Sequence, residues 1–423
     1  MRKMLLFTTV IVLCFFSLSG MKTAAGQVPA VQWSRALGKG EARWLTNTWD
    51  GGYALTGWTD SGAEGSAVFL AKCDGEGNLL WARQYRGNGY SCGYCVKEVR
   101  GGGLIVAGDT KSKSGFDHDV YVFCTNEKGA PRWEKNFGGP RCDYAWAVQQ
   151  TEDGGFILAG GTESFGAGIY DVYLIKLDAA GRVKWEKTYG GKGSDCGYAV
   201  LETAGGGCLV AGNTESFGAS SNPDIYLFRT DEKGTLLWQK TYGGRGSDYG
   251  WALLPANDGG YLIAGEKEMA GEKGAVLAPC LLKVDSAGEL LWERTYGGGN
   301  AGSAYAVCRT KDRGYVLTGK KESPGGYHIF VVKTDKTGAP VAERALEDYD
   351  DSAGYIILQS AGGGYVLAGK KRAEDGAGSE ISLLKLRGEA KPGTGSLALL
   401  ITALCGVLAL FFLLLRRKKQ RSN

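Results

Sequence analysis

Tryptophan recurs along this chain at a nearly constant spacing, and that periodicity constrains the fold more than any other feature of the sequence. The spacings are 48, 52, 52, 53 and 54 residues, between Trp33, Trp81, Trp133, Trp185, Trp238 and Trp292. Ala342, in PVAER, takes a seventh position 50 residues after Trp292, which lies in LLWER. The segment GGYALTG at 51–57 also returns in related form in every repeat, down to GGYVLAG at 363–369. Self-similarity with this period predicts seven repeated structural units.

Each repeat contains four short apolar or alternating runs bounded by Gly, Asp or Asn, which is the pattern of strands in an all-β fold. In the third repeat the runs are YAWAVQQ, FILAGGT, DVYLIKL and VKWEKTY, at 144–150, 156–162, 171–177 and 183–189. FILAG is almost continuously apolar, as in a strand that is covered on both faces. Asp153, Gly154 and Gly155 separate the first two runs, and we expect both glycines to supply the positive φ of a hairpin turn. Gly181, three residues after Asp178, has the same expected role in the next hairpin.

The first and last runs predict that the units close into a ring. VQWSRAL at 31–37 matches the fourth strand of a repeat, whereas ISLLKLR at 381–387 matches the third. If strand 31–37 completes the last sheet, every sheet has four strands and no terminal edge stays unpaired. The predicted fold is an all-β, seven-bladed β-propeller of residues 27–388, closed by its N-terminal strand. KTYGGKGSD at 187–195 and KTYGGRGSD at 240–248 are then equivalent junctions between consecutive blades.

The repeat resembles a known class of proteins. A Trp-bearing strand, TYGG, DGGY-like and AGxT-like strands and DxYLxKxDxxG together resemble the secreted bacterial and archaeal β-propeller repeat proteins, which are distantly similar to quinoprotein repeats. The resemblance covers residues 31–387. It implies the architecture and no particular function, because propellers host many unrelated activities.

The two ends of the chain differ from the repeats. Residues 1–26 contain a short basic segment, an apolar run and small residues, which predicts a secretory signal peptide. Residues 396–415 carry no charge over 20 positions, enough for a transmembrane helix. The basic tail at 416–423 is expected to stay in the cytoplasm. The sequence therefore predicts a propeller outside the cell, held at the membrane or the cell wall.

The linker at 389–395 contains a second recognisable motif. Its end, KPGTG, together with the apolar span and the basic tail, resembles the sorting signal of Gram-positive cell-wall proteins, usually Leu-Pro-x-Thr-Gly. The resemblance implies Pro392, Thr394 and Gly395 as the recognised residues, and cleavage by a sortase between Thr394 and Gly395. Lys391 stands where the family has Leu. The alternative is an ordinary linker to a permanent membrane anchor.

Charge and cysteine content exclude some functions once the ends are set apart. Eight of the 49 basic residues lie in the predicted signal peptide and tail, which leaves 41 against 45 acidic residues. The propeller thus lacks the basic excess of a nucleic-acid-binding domain. Nine cysteines remain, an odd number whose pairing the sequence leaves open. Cys92 and Cys95 have C-x-x-C spacing, but no second pair completes a zinc site.

Acidic residues recur where blades join and admit two interpretations. Asp143, Asp195 and Asp248 occupy the same place in three repeats, and in a ring they would lie on one face near its axis. They either bind a cation such as calcium, or a polar ligand, or each caps its own turn. The same alternatives apply to Asp119, Asp171 and Asp224. The repeated Tyr and Trp residues either form a carbohydrate platform or, as we expect for most of them, fill the blade core.

No catalytic motif is recognisable, and the only histidines, His118 and His328, are expected at exposed loops or strand ends. The sequence therefore predicts a non-enzymatic binding, adhesion or scaffold module without a cofactor, whose partner is an unidentified protein or glycan. The loops at 162–171 and 214–224 are long enough to contribute contacts. The alternative is a propeller enzyme, either a quinone-dependent dehydrogenase or a polysaccharide hydrolase. The turn at 178–185 lacks the Thr-Gly step that quinoprotein repeats usually carry.

Overall fold

The computed structural model describes residues 28–387, except 63, 64, 114, 116, 272, 273, 325, 350, 374 and 377. This part of the chain is all-β, with 27 strands and no α-helix. Within it, no helix is long and apolar enough to cross a bilayer. The predicted signal peptide, sorting motif, transmembrane helix and basic tail lie outside the described residues, and they remain predictions.

The strands form seven antiparallel units of four, named here units 1 to 7. The first three units contain β1 (Val31–Asn47), β2 (Tyr53–Asp60), β3 (Ser66–Cys73), β4 (Leu79–Tyr85); β5 (Ser91–Glu98), β6 (Leu104–Lys111), β7 (His118–Thr125), β8 (Pro131–Phe137); β9 (Asp143–Gln150), β10 (Phe156–Thr162), β11 (Asp171–Leu177) and β12 (Val183–Tyr189). The next two contain β13 (Asp195–Glu202), β14 (Cys208–Thr214), β15 (Asp224–Thr230), β16 (Leu236–Tyr242); β17 (Asp248–Pro255), β18 (Tyr261–Gly271), β19 (Gly274–Val284) and β20 (Leu290–Thr295). The last two contain β21 (Gly302–Arg309), β22 (Tyr315–Ser323), β23 (Gly326–Thr334), β24 (Pro340–Ala345); β25 (Ala353–Gln359), β26 (Tyr365–Arg372) and β27 (Ser379–Leu386), which β1 completes.

Strand β1 is 17 residues long and belongs to two units. Its first part pairs with β27, from Val31 opposite Leu386 to Lys39 opposite Glu380. Its second part pairs with β2, from Gly40 onward. The sequence predicts a strand that ends at residue 37 and seven separate sheets. The described residues instead form six sheets, because β1 runs without a break from unit 7 into unit 1 and joins them.

The inner strands of the seven units form a closed circle. They are the second part of β1 and strands β5, β9, β13, β17, β21 and β25; each contacts the next, and β25 contacts β1. Outward from each inner strand, the sheet continues in chain order to the fourth strand. The middle strands carry the core: every residue of β10 and β11 is buried. The near-continuous apolar runs predicted this, since both faces of a middle strand pack against neighbouring sheets.

The repeated tryptophans join neighbouring units. The ring of Trp133, on the fourth strand of unit 2, lies against Gly181 in the last turn of unit 3, where a Cβ atom would be 2.8 Å from the ring. Equivalent pairs are Trp33 with Gly77, Trp81 with Gly129, Trp185 with Gly234, Trp238 with Gly288 and Trp292 with Gly338. Each tryptophan thus needs a turn between the third and fourth strands of the next unit.

Ala342 replaces tryptophan at the one place where that turn does not exist. The next unit after β24 is unit 7, whose third and fourth strands are β27 and the first part of β1. These strands come from opposite ends of the described chain, so no turn connects them. The substitution in the repeat pattern therefore marks the closure.

The tyrosine of the TYGG junction has a similar bridging role. The Tyr242 hydroxyl donates a hydrogen bond to the carbonyl oxygen of Gly288, at 2.6 Å. Tyr296 makes the same bond to Gly338, at 2.9 Å, and Tyr85 and Tyr189 make it to Gly129 and Gly234. The junction sequence is thus repeated because, at these four junctions, the same two side chains fasten one unit to the next.

The positive φ expected of the turn glycines is confirmed at Gly154 and Gly181 and is wrong for Gly155. Gly154 and Gly181 adopt φ of +81° and +74°, as predicted for hairpin turns. Gly155, also predicted to have positive φ, does not. A Cβ atom there would lie 2.2 Å from the carbonyl oxygen of Leu177, so glycine is needed for close approach of two strands.

Candidate functional site

Each inner strand contains a β-bulge at the same position, and the bulged residues form the candidate site. The register with the second strand skips one residue in every unit. The skipped residues are Arg43, Tyr94, Trp146, Tyr198, Trp251, Tyr305 and Tyr355, which we call the axial ring. Bulges redirect a side chain and are over-represented at functional sites. Six aromatic side chains and one arginine are thereby presented from the circle of inner strands, and all seven are half-buried.

Six of the seven members of the axial ring contact one another in series, from Trp146 to Tyr355 and on to Arg43. Ring centroids are 4.9 Å apart for Trp146 and Tyr198, 4.6 Å for Tyr198 and Trp251, 6.1 Å for Trp251 and Tyr305, and 5.4 Å for Tyr305 and Tyr355. The guanidinium carbon of Arg43 lies 4.7 Å from the centroid of Tyr355 and continues the series into unit 1. These separations are typical of favourable aromatic and cation–π contacts.

The guanidinium of Arg43 pairs with a carboxylate through one nitrogen atom, whereas another of its nitrogen atoms has no hydrogen-bond partner among the described residues. Its Nη2 atom lies 2.7 Å from Oε2 of Glu41, which is itself buried. Lys370 approaches the other carboxylate oxygen of Glu41 at 3.4 Å. The Nε atom of Arg43 is buried without a hydrogen-bond partner among the described residues. An unpaired buried donor is costly, so Arg43 is not fully satisfied by its own protein partners.

Three tyrosines of the axial ring remain neutral hydrogen-bonding groups. Burial raises the pKa of Tyr94, Tyr198 and Tyr355 well above the ordinary value for tyrosine. Their hydroxyl groups therefore stay protonated at any physiological pH. A ligand at the axial ring meets apolar ring faces, these neutral hydroxyls and the positive charge of Arg43, and the Lys320 ammonium lies 5.9 Å from the ring centroid of Tyr305.

Two buried carboxylates lie on second strands, beside the inner strands. Glu266 accepts a hydrogen bond from Ser303, and burial raises the pKa of its carboxyl group. Asp109 is hydrogen-bonded to Nδ1 of His118, and this bond raises the pKa of His118. Both carboxylates belong to polar networks that extend between strands, so they support the site without supplying an isolated catalytic pair.

Asp143 and Asp195, two of the predicted binding residues, cap their own junction turns in the structure. Both are fully buried. Oδ2 of Asp143 accepts hydrogen bonds from the backbone N–H of Gly139 at 2.8 Å and from the hydroxyl of Ser164 at 2.7 Å. Oδ2 of Asp195 accepts from the backbone N–H of Gly191, also at 2.8 Å. The contacts are those of the capping interpretation, and ligand binding by these residues remains a prediction.

Asp248, the third predicted residue, differs from the other two. It is buried, and its Oδ1 atom, like that of Asp143, has no hydrogen-bond partner among the described residues. Burial raises the pKa of Asp248 to about 6, with Asp224 adding to the increase and Lys267 opposing it. In this junction the backbone N–H of Gly244 donates to Asp224, at 3.0 Å, whereas the equivalent N–H groups of Gly139 and Gly191 donate to Asp143 and Asp195.

The aspartates near the start of the third strands complete these junctions. Oδ2 of Asp171 accepts hydrogen bonds from the backbone N–H groups of Ala167 and Gly168, both at 2.9 Å. A Cβ atom at Gly190 would lie 2.2 Å from Asp171 and 2.6 Å from Asp195. The first glycine of TYGG is thus required because two carboxylates flank it. In the described part of the chain, no group of three or more His, Cys, Asp or Glu residues is placed to hold a metal ion.

The nine cysteines outside the terminal segments are all free thiols. Seven are buried, whereas Cys92 and Cys142 are half-buried. Burial raises the pKa of Cys196 to about 12, which keeps this thiol protonated. The expectation of two exposed histidines is wrong for His328, which is 2% exposed. Strand β23 begins two residues before it, and the carbonyl oxygen of Tyr349 contacts its Nδ1 at 3.2 Å.

Sequence reasoning placed most repeated aromatic residues in the blade core and did not recognise the axial ring. The signal was present, because an aromatic residue stands three positions after Asp143, Asp195 and Asp248. Arg43 carries no such signal: it lies in GEARW, where the junction aspartate is absent. Only the register of β1 with β2 aligns Arg43 with the other bulged residues.

Comparison with known proteins supports the fold. No protein family matches the sequence, and no curated protein is a detectable relative. Among solved structures, the polysaccharide lyase Uly1 is similar, with a TM-score of 0.51 and 10% identity over 84% of this chain and 91% of that chain. BBS1N in complex with ARL6DN gives a TM-score of 0.50 and 11% identity, over 86% and 99%. The β-propeller domain of the Trilobed protease from Pyrococcus furiosus gives 0.45 and 10%, over 84% and 96%.

At such identities the likeness concerns the fold alone. It agrees with the closed circle of inner strands, and the chain has an all-β, β-propeller-like fold.

Proposed function

We propose that this chain is a seven-bladed β-propeller, closed by β1, that binds an envelope glycan or protein at its axial ring without catalysing a reaction. The terminal segments predicted from the sequence would display it outside the cell, attached to the membrane or, through a sortase, to the cell wall. The observation that carries the proposal is the axial ring, with six aromatic side chains and one arginine at equivalent positions.

The partial exposure of the ring favours binding over a purely structural role. Side chains that only fill a core are buried, as Leu158 and Ile175 are in unit 3. All seven ring members instead retain accessible surface. Arg43 adds a charged group with an unpaired donor, which a structural plug does not require. Aromatic contacts of about 0.5–1.5 kcal/mol each hold the rings in place before a ligand arrives, which lowers the entropic cost of binding.

The enzymatic alternative remains a quinone-dependent dehydrogenase or a polysaccharide hydrolase. The similar structure of a polysaccharide lyase gives it no support beyond the fold. Asp109 and Glu266, the buried carboxylates on second strands beside the inner strands, belong to different units and have partners of their own. An absorbance spectrum of the purified full chain, with and without calcium, tests the dehydrogenase. A stoichiometric quinone chromophore would contradict binding without catalysis.

The direct test uses purified Gram-positive cell-wall sacculi, because the sequence predicts a Gram-positive sorting signal. The full chain is sedimented with the sacculi, and the supernatant is examined for released wall fragments. We expect cosedimentation without release. The Tyr198→Ala variant should bind about tenfold more weakly, through loss of one aromatic contact surface.

Two variants serve as controls for this test. Tyr198→Phe keeps the ring face and should retain most of the binding. Trp49→Ala removes a side chain that is 66% exposed and lies in the β1–β2 turn, outside the axial ring, and should leave binding unchanged. Failure to cosediment, or equal binding by folded Tyr198→Ala, would refute the proposal, and released fragments would favour a hydrolase.

A further inference from the structure

A cleft beside Arg43 provides a second surface next to the axial ring, between units 1 and 2. Its volume is about 550 Å³, and its lining is formed by Arg43, Trp58, Asp60, Gly62, Gly65, Ser66, Tyr90, Cys92 and Tyr94. Pockets of about 300–1,000 Å³ accommodate ligands of small-molecule size. We propose that this cleft binds a neutral, hydroxyl-rich sugar chain. The inference deepens the proposed function and rests on it.

The cleft presents flat apolar surface that is fixed in position. Tyr90 is 54% exposed. One side of its ring lies against Gly65, where a Cβ atom would be 2.4 Å from the ring. The carbonyl oxygen of Tyr90 accepts a hydrogen bond from the backbone N–H of Lys111, at 2.8 Å. A large exposed aromatic side chain held by its own backbone and a glycine is a preformed stacking surface, and the C–H face of a sugar ring packs on such a surface.

The polar groups of the cleft include donors and acceptors of both charges. Arg43 supplies guanidinium donors, Asp60 supplies an exposed carboxylate, and Ser66 supplies a hydroxyl group. Oδ1 of Asp60 accepts from the backbone N–H of Gly62, at 2.9 Å. An anionic ligand would meet Asp60, and a cationic one would meet Arg43. A neutral ligand rich in hydroxyl groups satisfies both, because each hydroxyl donates and accepts.

The cleft and the axial ring share two residues, Arg43 and Tyr94. Arg43 also stacks on Tyr355 of unit 7, so the cleft borders the place where the first and last units meet. A sugar bound in the cleft therefore lies beside the ring that the proposed function assigns to ligand contact. The two sites form a continuous aromatic surface with one guanidinium at their boundary.

The test is calorimetric titration of the full chain with cellotetraose, maltotetraose, xylotetraose and chitotetraose. Tetragalacturonate and choline serve as anionic and cationic comparisons. We expect at least one neutral tetrasaccharide to bind at millimolar concentration or below, and both charged probes to bind more weakly. Tyr90→Ala should weaken this binding about tenfold. Tyr90→Phe should preserve it, and so should the matched control Trp49→Ala, which removes a similarly exposed ring elsewhere.

Tyr90 is exposed, so its substitution is expected to leave the fold intact, which the unfolding midpoint verifies. Absence of binding by all four neutral sugars overturns the inference, as does tighter binding of either charged probe. Neutral-sugar binding that folded Tyr90→Ala leaves unchanged also overturns it. One of these outcomes can be found although the full chain still sediments with sacculi and the Tyr198→Ala variant fails to sediment with them. In that case the proposed function stands and only the sugar cleft is wrong.

Discussion

The guanidinium of Arg43 lies 4.7 Å from the ring centroid of Tyr355, although the two residues belong to the first and last units of the chain. The contact exists because β1 pairs with β27 before it enters unit 1. It links closure of the fold to completion of the candidate site.

Replacing Arg43 should destabilise the protein through the carboxylate it leaves behind. Glu41 is buried and would lose its 2.7 Å partner, so Arg43→Ala should reduce the free energy of unfolding by about 1–3 kcal/mol. Adding Glu41→Gln should recover part of this loss because the buried charge is removed. Urea unfolding of the single and double variants measures the coupling. If the double variant loses as much free energy of unfolding as the two single variants lose together, or more, this explanation is contradicted.

Gly181 should tolerate a side chain less well than Gly154. Both have positive φ, but a Cβ atom at Gly154 meets nothing within 4 Å, whereas one at Gly181 meets the Trp133 ring. Gly154→Ala should therefore cost about 1 kcal/mol of backbone strain. Gly181→Ala should cost about 1–3 kcal/mol more through displacement of the ring. Equal unfolding midpoints for the two variants would show that the tryptophan contact contributes nothing.

Alanine stands at position 342 where the other repeats have tryptophan. Substitutions at the equivalent positions 292 and 342 should therefore change the stability by unequal amounts. Trp292→Ala should destabilise the chain by about 2–3 kcal/mol, because the ring loses its contact with Gly338. Ala342→Trp should bring no comparable gain, since unit 7 has no turn for the ring to cover. Thermal unfolding of both variants tests this. A gain at residue 342 as large as the loss at 292 would mean that the closure is misplaced.

Because of Asp248, the free energy of unfolding should decrease as the pH is raised from about 4 to about 6. Its pKa is raised to about 6 in the folded state by burial, from the ordinary aspartate value of 3.8. The folded state therefore binds more protons in that window, and the free energy of unfolding decreases as the pH rises through it. Asp248→Asn should remove this dependence, with a gain at pH 7 of at most about 3 kcal/mol. Urea unfolding at several pH values makes the comparison, and parallel profiles for the two proteins would contradict it.

Local periodicity was sufficient to predict the strands, and long-range register was not. In unit 3, the runs at 156–162, 171–177 and 183–189 match β10, β11 and β12, because alternation and glycine turns are encoded within a few residues. The continuity of β1 was missed since LGKG, with two glycines, has the composition of a turn. Gly38 and Gly40 instead adopt φ of +108° and +133° within the strand.

The candidate site was harder to predict from the sequence than the strands were, for a related reason. An aromatic residue on an inner strand has the same local pattern whether it faces a core or an axis. The difference arises from the bulge, which is set by pairing between strands and shifts one residue out of register. The predicted aspartates stand at the starts of inner strands, where Asp143 and Asp195 accept hydrogen bonds from backbone N–H groups of their own turns and from side chains at the end of the second strand and just after it.

The most direct test of the account is a disulfide across the closure, since the axial ring requires it. Ala36 and Ser382 lie opposite each other in the pairing of β1 with β27. In the Ala36→Cys/Ser382→Cys protein, oxidation should form an intramolecular disulfide. By closing a very long loop, it should raise the free energy of unfolding by several kcal/mol, about 6 in a chain-entropy estimate. The single variants should form no such bond, whereas failure of the double variant to crosslink within one chain would contradict the closed ring.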